Sequence, residues 1–214
     1  MAESKPMKVI IVGAGISGLS TYLFLKRYCE PLIQLDLTIY ESYKPGTNRS
    51  LADATFQEIS SSSLIVGGGL GVQPNGMRII RELGEELYVE VKKHGFSAKN
   101  FVFKSSRGWR LASSPGGDRR GTKGFPPGEE EFCLAVSRQG VRDSIFNAVG
   151  PENVVYKKVV KVKTAVPGEG KRAAVVFEDG TEDDADLVIG ADGVRSAVLR
   201  GIFKDEELVK PRYQ

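Results

Sequence analysis

Apolar and polar positions divide the chain into short elements with two distinct periods. Lys8 to Val12 (KVIIV) is a β-branched apolar run, the pattern of a strand buried on both faces. After a glycine-rich stretch, Leu19, Leu23 and Phe24 recur at helical spacing, and the helix is expected to reach Arg27. Leu35 to Tyr40 (LDLTIY) reads as a second strand ending at Glu41. Strand, turn, helix and strand form a βαβ unit, whose crossover is right-handed almost by rule.

The pattern then loosens. Tyr43 to Ser63 is irregular and polar, which predicts a loop. Leu64 to Gln73 is apolar but interrupted by Gly67, Gly68, Gly69 and Gly71. Pro74-Asn75 punctuates it, Gly76 to Leu83 reads as a helix closed by Gly84, and Glu85 to His94 as another. Phe101 to Leu111 has the pattern of a hairpin turning at Ser105 to Gly108. Ser113 to Glu131, rich in Gly, Pro and charge, predicts an exposed loop. Phe132 to Val136 is strand-like, and Ser137 suits the N-cap of a helix over Arg138 to Val149. Val154 to Val166 and Ala173 to Glu178 alternate as strands, with a turn at Asp179-Gly180. Ala185 to Ile189 predicts a buried strand leading into Gly190-Ala191-Asp192-Gly193, and Val194 to Phe203 a helix.

Composition adds bounds. The 214 residues suit one large domain or one domain with a small appendage, and 41% hydrophobic with 27% charged is an ordinary globular profile. The formal charge of +3 is small and read as dispersed, with no basic stripe among aromatics, so nucleic acid is not expected. Cys29 and Cys133 are far apart and fit no metal spacing. The single histidine, His94, weakens any Ser-His-Asp scheme. Asn48-Arg49-Ser50 fits the glycosylation triplet, a pattern common by chance. The polar start, Met1 to Lys8, resembles neither a signal peptide nor a membrane span, so a cytoplasmic location is expected.

The chemistry begins at VIIVGAGISGLS, where Gly13-x-Gly15-x-x-Gly18 follows a strand and opens a helix. Gly13 permits the tight turn, Gly15 removes a Cβ from the path of a pyrophosphate, and Gly18 lets helix and strand approach. The helix N-terminus offers N–H groups and partial positive charge to phosphate. Glu41 lies 23 residues beyond Gly18, where a carboxylate accepts hydrogen bonds from ribose hydroxyls and repels a 2′-phosphate. Its alternative role is a solvated charge at a strand end. The motif alone does not separate FAD from NAD. Tyr22 stands where a small residue is usual, which is expected to hold the helix off the sheet.

A second motif lies in DADLVIGADGVRSAVLR, Asp184 to Arg200. Here the sequence resembles the flavoprotein aromatic hydroxylases of the salicylate and p-hydroxybenzoate hydroxylase type. GGGLGVQPNGMRIIRELG (Gly67 to Gly84) and VSRQGVRDSIFNAVG (Val136 to Gly150) match further segments in order and spacing. The resemblance implies an α/β fold: a Rossmann-like FAD-binding domain with a parallel sheet, plus antiparallel β insertions at 101–136 and 154–181. It implies that Gly13, Gly15, Gly18, Glu41, Gly68, Arg138 and Asp192 serve FAD, with no side-chain nucleophile and no metal. Taken alone, Arg138 is a first-turn surface residue and Asp192 an Asx-turn residue. Arg49 and Arg78 are candidate flavin-side cations, with a solvated role preferred for both.

By the same resemblance, NADH or NADPH is the co-substrate and a small aromatic molecule is hydroxylated with O₂. The family's later Gly-Asp-Ala-x-His motif is absent and the chain stops at Gln214, so the substrate layer is expected to be missing. Two rivals remain open from sequence: an NAD-dependent Rossmann oxidoreductase, and a non-catalytic interaction protein that kept the fold.

Overall fold

The structure, a computed structural model, describes residues 5–44, 68–117, 130–165 and 172–203. In chain order its elements are β1 (Met7–Val12), α1 (Ile16–Phe24), β2 (Leu35–Glu41), β3 (Gly69–Val72), α2 (Pro74–Leu83) and α3 (Glu85–Lys93). They continue with β4 (Gly95–Ala98), β5 (Asn100–Lys104), β6 (Arg110–Pro115), β7 (Cys133–Ser137), α4 (Arg138–Val149), β8 (Val154–Tyr156) and β9 (Val159–Lys163). The last are β10 (Ala173–Phe177), β11 (Glu182–Ala185), β12 (Leu187–Gly190) and α5 (Ala197–Ile202). The chain divides into two compact units, Met1–Ile65 with Ile145–Gln214, and Val66–Ser144.

The first unit holds a four-stranded parallel sheet of order β12-β1-β2-β8. Val9, Ile10 and Ile11 of β1 are buried, as a central strand of a parallel sheet requires. Beside it stands an antiparallel sheet of order β11-β10-β9. Ile10, Val12, Val162, Val175, Phe177 and Val198 meet in one core cluster, joining both sheets to α5. Tyr40 packs against the same cluster, edge-on to Phe177 with ring centroids 4.7 Å apart. Its hydroxyl donates to Asp183 at 2.9 Å, and Lys8 pairs with the same carboxylate. Burial and that partner push the Tyr40 phenol well above its usual range.

The second unit carries the sheet β3-β7-β4, antiparallel throughout, and the separate β5–β6 hairpin. Pro74 opens α2 in its first turn, where a missing N–H costs nothing. Met77, Ile80, Leu87, Tyr88 and Val91 form the buried stripes of α2 and α3. Glu131 is 2% exposed and accepts from Tyr88 and Lys92 of α3.

Several expectations change. The helix after the glycine turn passes at Leu25–Cys29 into a π-helical turn. Tyr22 is 4% exposed, so its large ring is accommodated in the interior. Gly84 closes α2 with φ 169°, an extended rather than left-handed conformation, and caps α3 as well. Gly95–Ala98, unassigned from sequence, is a strand on the edge of β7. The stretch read as a loop from Ser113 begins as strand through Pro115 and ends at a buried acid, Glu131. The run from Val154 is two strands: Val154–Tyr156 joins the parallel sheet and Val159–Lys163 the antiparallel one. Lys157 and Lys158 make the break, with Lys157 N donating to Val155 O at 3.1 Å. Ala185 belongs to β11, and the strand that follows is not buried: Leu187 is 40% exposed because β12 is a sheet edge. The final helix is a 3₁₀ turn, Gly193–Arg195, followed by α5. Among the described residues no helix is long and apolar enough to cross a membrane.

Candidate functional site

Five of the proposed site residues converge at the carboxyl ends of β1, β2 and β12, within the first unit. The pairing is parallel and in register, with Val12 beside both Tyr40 and Gly190. The turn after β1 is therefore flanked by the ends of its two neighbours. Gly13 N donates to Tyr40 O at 2.7 Å, and Ala191 N to Val12 O at 2.8 Å.

Gly13 has φ +105°, a conformation side chains rarely adopt. A Cβ there would lie 2.4 Å from Ala191 O and 3.1 Å from Asp192 Cα. A Cβ on Gly18 would lie 1.9 Å from Gly13 O. These two glycines are thus fixed by internal packing. Gly15 differs: a Cβ there meets nothing within 4 Å. It is the N-cap of α1, no side chain caps that end, and the first turn contains no acid. The result is an unobstructed helix N-terminus suited to an anion.

Glu41 reaches into this turn. Its Oε2 accepts from Ala14 N at 2.7 Å, while Oε1 accepts from Tyr43 N at 3.0 Å and Ser42 Oγ at 3.1 Å. The acid and the glycine bend are in direct contact, which fits a dinucleotide with phosphates at α1 and a ribose at the carboxylate.

Asp192 spends its carboxylate inside the chain. Oδ2 accepts from Ala197 N at 2.6 Å and Val198 N at 3.2 Å, and Oδ1 accepts from Ser196 Oγ at 2.5 Å. Ser196 in turn caps α5 by accepting from Leu199 N at 2.8 Å. This network holds the turn that touches Gly13. The sequence marked Asp192 but not its capping geometry, and it could not mark the Ala14 amide, whose role depends on backbone direction.

The other two candidates lie together in the second unit. Arg138 N, at the start of α4, donates to Gly68 O at 2.8 Å. Ser137 Oγ accepts from Gly140 N at 3.0 Å, the predicted cap. Gly68 borders an open groove of about 990 Å³, also lined by Gly71, Phe96, Cys133 and Ser137. A Cβ at Gly68 would meet nothing within 4 Å, so the backbone there is open to a flat ligand. Burial pushes the Cys133 thiol up, the state of an inert structural cysteine. Both cysteines are free, and among the described residues no cluster could hold a metal. Arg78 is exposed on α2. Arg49 and the glycosylation triplet lie outside the described residues.

No family model matches the chain. An FAD-dependent monooxygenase of Arthrinium sp is 28% identical over 97% of this chain and 24% of its own length. Aurachin C monooxygenase/isomerase of Stigmatella aurantiaca is 27% identical over 97% of this chain and 45% of its own. The structure of 2,6-dihydroxypyridine-3-hydroxylase from Arthrobacter nicotinovorans aligns with a TM-score of 0.62 at 22% identity, covering 94% of this chain and 40% of that one. The resemblance to flavoprotein monooxygenases and the α/β fold with its parallel sheet are borne out. The chain spans from 24% to 45% of the length of these relatives.

Proposed function

We propose that this chain is the dinucleotide-binding part of an FAD-dependent monooxygenase that hydroxylates a small aromatic molecule in the cytoplasm with NADH or NADPH and O₂. The observation that carries the proposal is the contact of Glu41 with Ala14 beside the open Gly15. Residues 1–214 are then one FAD-binding domain, with antiparallel insertions at 101–136 and 154–181, the second narrowed to 159–181 because Val154–Tyr156 pairs parallel with β2.

The residues fit the cofactor. Gly15 leaves room for a pyrophosphate, and α1 directs its N-terminal amides toward it. Glu41 would exchange or share its Ala14 contact with ribose hydroxyls. Gly13, Gly18 and Asp192 hold the shape of the bend rather than touching the ligand. Gly68 and Arg138, which belong to the second unit, are assigned to FAD by the sequence resemblance. Bound FAD would supply the redox chemistry, taking reducing equivalents from the nicotinamide and activating O₂. The chain's own part is binding, orientation and exclusion of water, with no nucleophile required.

Mixing the purified chain with FAD and removing excess tests this. The reading expects a retained yellow chromophore and a higher melting temperature. A colourless protein that instead binds NAD without flavin would establish the oxidoreductase rival. Retained flavin with no NADPH oxidation would be consistent with the relic reading, and a partner pull-down would then separate the two.

A further inference from the structure

Glu41, the acid assigned to the ribose, ends β2, and the residue before it is held from two directions. In the backbone, Tyr40 O accepts from Gly13 N at 2.7 Å, so the Tyr40–Glu41 peptide is fastened to the glycine bend. In the side chain, the Tyr40 hydroxyl donates to Asp183 Oδ2 at 2.9 Å. Strand alternation puts the two side chains on opposite faces of β2. Tyr40 meets the antiparallel sheet, edge-on to Phe177, while Glu41 meets Ala14 N.

The anchor is itself braced. Asp183 pairs with Lys8 of β1 through its other oxygen and stands opposite Val175 of β10. The phenol therefore reaches a carboxylate tied to two further strands. Burial first, and the Asp183 contact second, raise the Tyr40 phenol, so it stays a donor. Packing alone does not call for the hydroxyl, because a phenylalanine ring would keep the contact with Phe177 and the core cluster. What the hydroxyl adds is a directed bond to an ionised acceptor, stronger than a neutral one. Any tilt of the Tyr40–Glu41 peptide moves the Glu41 Cα and stretches the bonds at Gly13 and Ala14 together.

We propose that Tyr40, through its hydroxyl on Asp183, is a positioning residue that presents Glu41 to the ribose of FAD, and this rests on the FAD reading of the site. The Lys8–Asp183–Tyr40 cluster then has a part in cofactor affinity beyond joining two sheets. Tyr40 acts through Glu41, from the other face of the strand.

Tyr40→Phe tests this, because the ring is retained and Lys8 still pairs with Asp183. Flavin fluorescence titrations give the FAD affinity of the 214-residue parent, Y40F, E41A and Y40F/E41A. Affinity should fall about fivefold in Y40F, the scale of one net hydrogen bond. In the E41A background the same change should leave affinity within about twofold, since there is no carboxylate left to position. A second readout needs no cofactor: in the ligand-free chain, Y40F should speed hydrogen exchange at the Ala14 amide and leave Val9 to Ile11 unchanged. An equal loss of affinity in both backgrounds, as a merely structural role would give, overturns the proposal and leaves the FAD reading standing. So does an Ala14 amide that exchanges at the parent rate in Y40F. A parent chain that binds no flavin refutes the FAD reading, and the proposal falls with it.

Discussion

Gly13 and Gly15 stand two residues apart and differ in what they tolerate. Gly13→Ala meets both a left-handed φ and a carbonyl 2.4 Å away, so it should lower folding stability by about 1–3 kcal/mol or more. Gly15→Ala enters open space from an extended backbone and should leave stability within about 1 kcal/mol of the parent. It should nonetheless weaken FAD binding at least tenfold, about 1.4 kcal/mol, because the added methyl occupies the phosphate's approach. Thermal melts and FAD titrations of the two variants check this separation of folding from binding. The glycines were legible because no other residue satisfies both demands at that spacing. The role of Asp192 was less so: an acid before a glycine reads equally as turn, cap or ligand, and only the N–H groups of Ala197 and Val198 show how its oxygens are used.

Among the elements, the β10–β11 turn is the one most directly tied to titration. Asp179 accepts from the Thr181 hydroxyl and backbone N–H and pairs with Lys157, which together hold its carboxyl down at about 2. The unfolded value is about 3.9, so the contribution of this turn is complete above that pH. It is lost as pH falls through about 2, because the unfolded chain takes up the proton first and the carboxyl is then protonated in both states. Thr181→Val removes the largest of these donors. An NMR titration should show the Asp179 midpoint rising toward the usual carboxylate range, and an unchanged midpoint would deny the hydroxyl that role. The turn itself was readable from Asp179-Gly180. The fate of the strands around it was not: alternation over Val154 to Lys163 looks the same whether a strand joins a parallel or an antiparallel sheet. Gly95–Ala98 escaped notice because a single large residue, Phe96, among Gly, Ser and Ala carries no strand pattern, and β7 supplies the pairing.

Across the molecule, the two glycine motifs meet because β12 returns to lie parallel to β1, about 180 residues later in the chain. That closure places Ala191 and Asp192 against Gly13 and makes the bend rigid before any ligand arrives. The βαβ start announced the first half of the arrangement. The strand order, and the Lys8–Asp183–Tyr40 cluster that links the two sheets of the first unit, depend on contacts too distant in sequence to be read from local pattern. The central claim is that the bend after β1 and the acid ending β2 together receive the diphosphate and ribose of FAD. A ¹H–¹⁵N spectrum of the labelled chain, followed while FAD is added, addresses it residue by residue. Saturable shifts greatest at the amides from Ala14 to Gly18 and at Glu41 are predicted. Silent amides there at saturating FAD, with changes confined elsewhere or absent, would contradict it.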